Sequence, residues 1–478
     1  CLIDHIDIRP AMDVGLGIVG ETHPLGHNDH LYERGHSAFF DYTEDVSLGT
    51  PVAGIPSVEG RGTVNIRNGT NSNGTTGGLS LGIQSTAGEV VFVLDNVKMI
   101  TSGINTSSVD VPQATITDCY FDVESPFIIN RHGAEFYAVD LRGDLPSEVS
   151  YSELFGGQGC LVFKGNYSSI HHNFFANRQT VTNHYSIMAM GDSSQIFENK
   201  IIPEIGSGIE IYVHSGMEIF NNEIHTVAAP PTCEYGHEDF STTAIRIADY
   251  GARPGSLGGC FGNDIYNNKF FITGRDYPEY TDYIPMAWAV FYSASAGENF
   301  IYGNQIIVND EDSGSKNETA AFYIGGGAVG GHFFDNHITT NAPAAWVGSR
   351  YGSSRNAKIY YNTIVKSATA DEDFKPFRMG WDGYHRCVAT DIQFCSNVIE
   401  GADFEIDATS QDHSYTVNWT LEIKVADKKG LALAGREVRV LDKDGEEIFC
   451  QSTGPGGTIK QELPEYSFSS GKKVFSSP

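Results

Sequence analysis

The residues best placed for acid–base work are Glu210, Tyr212, His214, Arg246 and Asp249, and two alternating strands carry them. In Gly208–Val213, Ile209, Ile211 and Val213 take one face, and Glu210, Tyr212 and His214 the other. If Ile209 lies against Ile245 of Ala244–Ala248, Glu210 sits one strand from Arg246, and Asp249 closes the next strand. Such a group could serve acid–base chemistry on a sugar, although a surface ion pair explains Glu210 and Arg246 equally well. His171, His172, Arg178 and His184 form a second polar cluster. His23, His27 and His30 are dense enough to suggest a transition metal, but Pro24, Gly26 and Gly35 make that segment a loop with nothing to fix ligand geometry.

What must position these side chains is a repeat. The phrase Ile-Phe-Asn-Asn-Glu-Ile at Ile219–Ile224 returns around Asn173, Asn199, Asn268, Asn304, Asn336 and Asn362, and more loosely at Asn397. The Asn-to-Asn steps are 26, 23, 46, 36, 32, 26 and 35 residues, and the step of 46 reads as two coils of 23, one lacking its Asn. A second short apolar strand precedes most copies, as at Tyr185–Met190, Gly208–Val213, Ala287–Tyr292 and Thr319–Ile324. Each unit is therefore strand, tight turn, strand and variable loop, and it can bury its apolar face only by stacking on its neighbours. The repeated Asn is expected to be structural, tolerating left-handed backbone at the bend and hydrogen-bonding from coil to coil.

This pattern resembles the right-handed parallel β-helix family of pectate lyases, polygalacturonases and many surface proteins, over 160–405 and, with a less regular period, over 1–160. The resemblance implies an all-β fold and no particular activity. The polygalacturonase-like set (Asn-x-Asp, Asp-Asp, Gly-His-Gly, Arg-x-Lys) does not occur as a set, so it carries over no catalytic residue. The segment from Trp419 through Arg436–Leu441 resembles carboxypeptidase-regulatory-like, immunoglobulin-like β-sandwich modules. The expected organisation is a parallel β-helix over 1–405 (irregular coils 1–160, regular coils 161–405), a polar linker over 406–417, and a β-sandwich over 418–478. Asp442-Lys-Asp-Gly445 reads as a hairpin turn rather than a calcium loop. No cofactor is expected, calcium being the one ion left open.

Long insertions in the regular coils carry Tyr235, Tyr250, Tyr277, Tyr280, Tyr283, Trp381 and Tyr384, which suit sugar stacking or fold down to cap the coils. Lys and Arg number 31 against 60 Asp and Glu, a net charge of −29. That excludes nucleic acid as a natural partner and argues against polyanionic sugars. No apolar run has the length of a transmembrane helix. The chain opens on Cys1 with no leader and is expected to be processed. Eight Cys without Cys-x-x-Cys spacing disfavour zinc and redox sites, and Cys233–Cys260 and Cys387–Cys395 are the expected disulfides of an oxidising compartment. Asn68, Asn73, Asn105, Asn166, Asn317 and Asn418 begin glycosylation sequons. The leading expectation is a secreted or cell-surface structural or adhesive protein, a subunit of a layer, sheath or fibre, meeting copies of itself or other surface proteins. The alternative is a secreted polysaccharide-active enzyme, lyase or glycoside hydrolase, or a carbohydrate-binding protein.

Overall fold

The computed structural model describes strand backbone in ten segments between Leu2 and Asp110, then residues 113–124, 137–141, 143–156, 159–177, 185–203, 206–230, 241–248, 260–279, 284–293, 298–311, 318–348, 352–381 and 387–476. Among these residues there is no helix.

The chain is a parallel β-helix. One coil shows the plan: Glu218–Phe220, Glu223–Val227 and Ser241–Ala248, after which Asp264–Tyr266 lies on Glu218–Phe220. Three walls result. Ile196, Ile219, Ile265 and Ile301 align on the first. Ile201, Ile224, Phe270 and Ile306 align on the second, and Ile187, Ile209, Ile245 and Val290 on the third. All are fully buried, and each contributes roughly 1.5–3 kcal/mol through burial. Rungs repeat at about 4.8 Å. Parallel pairing already links Leu2–Asp4, Ala38–Asp41, Arg61–Ser72 and Glu89–Ser102 in the N-terminal part.

The corner between the first and second walls explains the repeated phrase and corrects half of its reading. The left-handed residue is the one before the repeated Asn: His172, Glu198, Asn221, Asn267, Gly303, Asp335, Tyr361 and Ser396 have φ between 48° and 63°. That single residue turns the chain. The following Asn points inward and is buried, so its amide enters a continuous ladder. Asn222 donates from Nδ2 to Oδ1 of Asn268 at 3.0 Å, and Asn268 likewise to Asn304 at 3.0 Å. Direct bonding of Asn222 to Asn268 also shows that the step of 46 residues is one coil. Its excess lies between Val227 and Asn263, around the strand Ser241–Ala248, and no Asn is missing.

On the third wall the strands bend. Pairing skips Ala244 and Ala289, and then Ala289 and Ala321, while the residues on either side stay in register. Ala244 and Ile245, Ala289 and Val290, and Ala321 and Phe322 are consecutive core residues. The bend therefore takes a small residue, and the outward side chains on its two sides approach one another. Thus Trp288, before the bend, stacks on Tyr323, after it, at 3.9 Å.

The expected linker 406–417 is the last turn of the helix instead. Ile406–Ala408 pairs in parallel with Phe377–Met379, and Tyr415–Asn418 lies on Ile392–Cys395. Polar composition there reflects outward positions on the terminal coil. The strand Tyr415–Lys424 then runs on to pair antiparallel with Thr458–Ser469, which pairs with Lys472–Phe475. Glu437–Leu441 and Glu447–Ser452 form a separate hairpin. In its turn Asp442 Oδ1 accepts the amides of Asp444 at 2.9 Å and Glu446 at 2.8 Å, so this carboxylate caps the hairpin.

Candidate functional site

The register places Glu210 beside Arg246, as the alternation requires. Arg246 Nε lies 3.7 Å from Glu210 Oε1, Nη1 donates to the Tyr185 hydroxyl at 2.5 Å, and the guanidinium sits over the Phe291 ring at 5.1 Å. The side chains are only 11% and 5% exposed, so this is a buried pair rather than the expected surface one. Tyr212 follows on the same wall, half-buried. His214 does not join it. Val213 takes φ 60° and turns the chain, so His214 Nδ1 meets Asp192 Oδ1 at 3.0 Å while the Ser215 amide donates to the same oxygen at 2.8 Å. Asp249 lies outside the described residues.

Further along this wall Trp288, Phe291, Tyr323 and Trp346 form a second apolar cluster outside the core. Glu318 accepts from the Tyr323 hydroxyl at 2.7 Å and from Trp381 Nε1 at 2.9 Å, and Arg378 covers Trp346 at 4.2 Å. Trp381 therefore folds down on the coil. So does Tyr277, whose hydroxyl donates to the Ala228 carbonyl at 2.6 Å. Glu318 stands three rungs from Glu210, roughly 14 Å along the axis. That is more than the ~5–9.5 Å between the two carboxyls of a glycosidase.

A more open array occupies the first wall, at positions that the sequence reading, His171 aside, passed over. His171, Phe197, Phe220, Tyr266, Tyr302, Phe334 and Tyr360 stack in one ladder, with centroids 4.8–5.3 Å apart and planes within 16°. All are half-buried. Beside them Glu218 and Asp264 face outward on adjacent rungs, and Gln195 Nε2 donates to Glu218 Oε2 at 2.9 Å. Burial, and then the charge of Glu218, push the Asp264 carboxyl up. Burial, and then these carboxylates, push up the Tyr266 and Tyr302 hydroxyls. The signal was legible: each of these copies of the phrase carries a ring directly after its first apolar residue.

Of the remaining candidates, Tyr235, Tyr250, Tyr280, Tyr283, Tyr384, His23, His27, Arg178, His184, Asn73, Asn105, Asn317 and Cys233 lie outside the described residues. His30 and Asn68 lie on strands described by backbone alone. Asn166 is exposed in a turn, where its side-chain oxygen accepts the Asp192 amide at 2.8 Å, and Asn418 sits half-buried on a strand. Cys387 and Cys395 are free, buried thiols, which corrects the expected bridge. Cys395 ends a first-wall strand with its sulfur near Ser396 and Thr420, while Cys387 precedes Ala389–Thr390, a separate strand that pairs with Ser354–Arg355. Burial pushes both thiols up. Cys260 is buried, its thiol facing the carbonyls of Ile211 and Ala248 at 3.5 Å. Among the described residues no group of three or more His, Cys, Asp or Glu could hold a metal ion, and no helix is long and apolar enough to cross a membrane.

No protein-family model matches the chain, and no curated protein does. Solved structures do. The A-module of an Azotobacter vinelandii mannuronan C-5 epimerase is 13% identical, with 80% of this chain and 89% of that one covered and a TM-score of 0.43. A mutant tailspike protein of E. coli bacteriophage HK620, in complex with a pentasaccharide, is 9% identical over 92% of this chain and 85% of that one, with a TM-score of 0.48. The Dettilon tailspike protein is 11% identical over 92% and 70%, with a TM-score of 0.39. At these values nothing about activity transfers to this chain, whose fold rests on its own strand register.

Proposed function

We propose that this is an extracellular protein that binds an extended, uncharged polysaccharide along the first wall of its β-helix. The observation behind the reading is the seven-ring ladder, roughly 29 Å long, flanked by Glu218 and Asp264. Ring faces are consumed by stacking within the ladder, so edges and the hydroxyls of Tyr266, Tyr302 and Tyr360 meet a ligand. Those hydroxyls and the carboxylates offer hydrogen bonds at a pitch close to the length of one sugar ring. The net charge of −29 disfavours a polyanion.

Affinity electrophoresis of the full chain through gels of neutral and acidic polysaccharides tests this. Retardation by a neutral polymer, lost in Tyr266→Ala/Tyr302→Ala and in Glu218→Gln, supports the reading. Equal migration in every gel, or retardation untouched by these variants, overturns it.

A structural or adhesive role is the second reading. Lys472–Phe475 pairs on one side with Thr458–Ser469 and exposes Val474 and Phe475, an edge suited to a second copy or another surface protein. Electron microscopy of protein from its native source decides this: ordered filaments or sheets favour it, dispersed monomers count against it.

A further inference from the structure

At the N-terminal end of the aromatic ladder two consecutive histidines converge. His171 is the last residue of Ser169–His171, and His172 is the left-handed corner residue with φ 57°. Along an extended strand, consecutive side chains point to opposite faces. The left-handed corner breaks that alternation and brings both imidazoles to one side. Their Nδ1 atoms stand 2.9 Å apart.

Both rings are held. Phe197 stacks on His171 at 4.8 Å, and Tyr151 stacks on His172 at 4.8 Å. The outer nitrogens face carboxylates: His171 Nε2 lies 3.4 Å from Glu148 Oε1, and His172 Nε2 lies 2.7 Å from Glu198 Oε2. Glu148 is further bonded by the Ser150 hydroxyl at 3.3 Å. At that distance one Nδ1–H hydrogen-bonds the other Nδ1, and a cation bonded to both nitrogens, off the line that joins them, would replace that proton and leave the remaining ring hydrogens on the Nε2 atoms facing the carboxylates.

We infer that His171 and His172 form a surface site for a divalent late transition metal, bound through both Nδ1 atoms, with Glu148 and Glu198 orienting the rings from behind. Imidazole backed at its far nitrogen by a carboxylate, as His171 and His172 are by the ion-pair contacts with Glu148 and Glu198, is the usual arrangement of a metal-ligating histidine. The separation selects the ion. With metal–nitrogen bonds of about 2.0–2.1 Å, a gap of 2.9 Å subtends about 90°, whereas tetrahedral ligands would stand about 3.3 Å apart. A right angle suits the tetragonal preference of Cu(II) or Ni(II) over tetrahedral Zn(II), and the affinity order places Cu(II) first. Water completes the coordination.

The test is titration of the full chain with Cu(II) by calorimetry and electron paramagnetic resonance, repeated with Zn(II). His171→Phe keeps the ring stack, and His172→Asn keeps a residue that tolerates the left-handed corner. The expected result is one Cu(II) per chain showing coupling to two nitrogens and weaker Zn(II) binding. Either histidine variant abolishes that site, and Glu198→Gln weakens it ~10–100-fold. Thermal melts establish that each variant folds. Should a histidine variant fail to fold, Glu198→Gln, a change at an exposed side chain, decides instead. Absence of Cu(II) binding, or an affinity unchanged in the variants, overturns the inference.

Discussion

Truncating one rung of the amide ladder, Asn268→Ala, tests what holds successive coils in register. Asn268 Oδ1 accepts the Asn222 amide at 2.9 Å and Asn222 Nδ2 at 3.0 Å, while Asn268 Nδ2 donates to the Ile219 carbonyl at 2.9 Å. Asn222 Nδ2 keeps the carbonyls of Ile196 and Phe220, and Asn304 Oδ1 keeps the Asn268 amide. The substitution therefore strands one buried backbone donor, the Asn222 N–H, and removes the side-chain bonds to the Ile219 carbonyl and to Asn304 Oδ1. At about 1–3 kcal/mol for the stranded donor and about 0.5–1.5 kcal/mol for each lost bond, the expected loss is roughly 2–6 kcal/mol. The neighbouring Asn267, exposed at φ 55°, is the control: Ala there costs about 1–2 kcal/mol in left-handed strain. Urea unfolding gives both values. Because a stacked array is coupled mainly through nearest neighbours, the weakened interface should also split the transition and speed amide exchange at Asn222. Equal losses in the two variants, with Asn222 exchange unchanged, would refute the ladder as the element fixing coil register.

Other consequences are separable. Arg246→Ala leaves Glu210 as a buried charge and should cost about 3–5 kcal/mol, whereas Glu210→Gln combined with Arg246→Met should recover most of that loss in the same urea assay. Val213→Asn should stabilise by up to about 1 kcal/mol, because a β-branched residue at φ 60° is strained where Asn is tolerated; a loss of stability would count against a strained corner. The Asp264 carboxyl is raised in the folded chain, so folding binds its proton more tightly and stability falls as pH rises from the unfolded value through the folded one. Asp264→Asn should flatten that fall and stabilise the chain at pH 7, read from melting temperatures between pH 3 and 7. Burial pushes Tyr360 up to about 12, so stability should also decline between about pH 10 and 12. Tyr360→Phe should lessen that decline, and a tyrosinate absorbance difference between the chain and Tyr360→Phe with its midpoint near pH 10 would contradict it.

What the sequence made legible, and what it hid, divides by the range of the interactions involved. The Ile-x-x-Asn-x-Ile phrase encodes contacts made once per coil, so the apolar columns, the stacked amides and the pairing of Glu210 with Arg246 followed from period and alternation alone. The bend at Ala244, Ala289 and Ala321 could not be read that way. Two successive inward residues break a period-2 pattern, and a small residue before a large one looks the same in any strand. That bend brings Trp288 onto Tyr323. The left-handed turn at Val213 was equally hidden because valine is among the residues least suited to it, and it is why His214 faces Asp192 instead of Arg246. The first-wall ladder was hidden differently. Its rings lie in plain view, one per phrase, but an aromatic next to a core isoleucine reads as more core until the left-handed corner assigns it to the outside. The same corner geometry that makes Asn221 and Asn267 unremarkable bend residues makes His172 a partner of His171. A repeat therefore specifies its scaffold through what recurs, and the places where it departs from its own consensus at a corner are where new chemistry is to be sought.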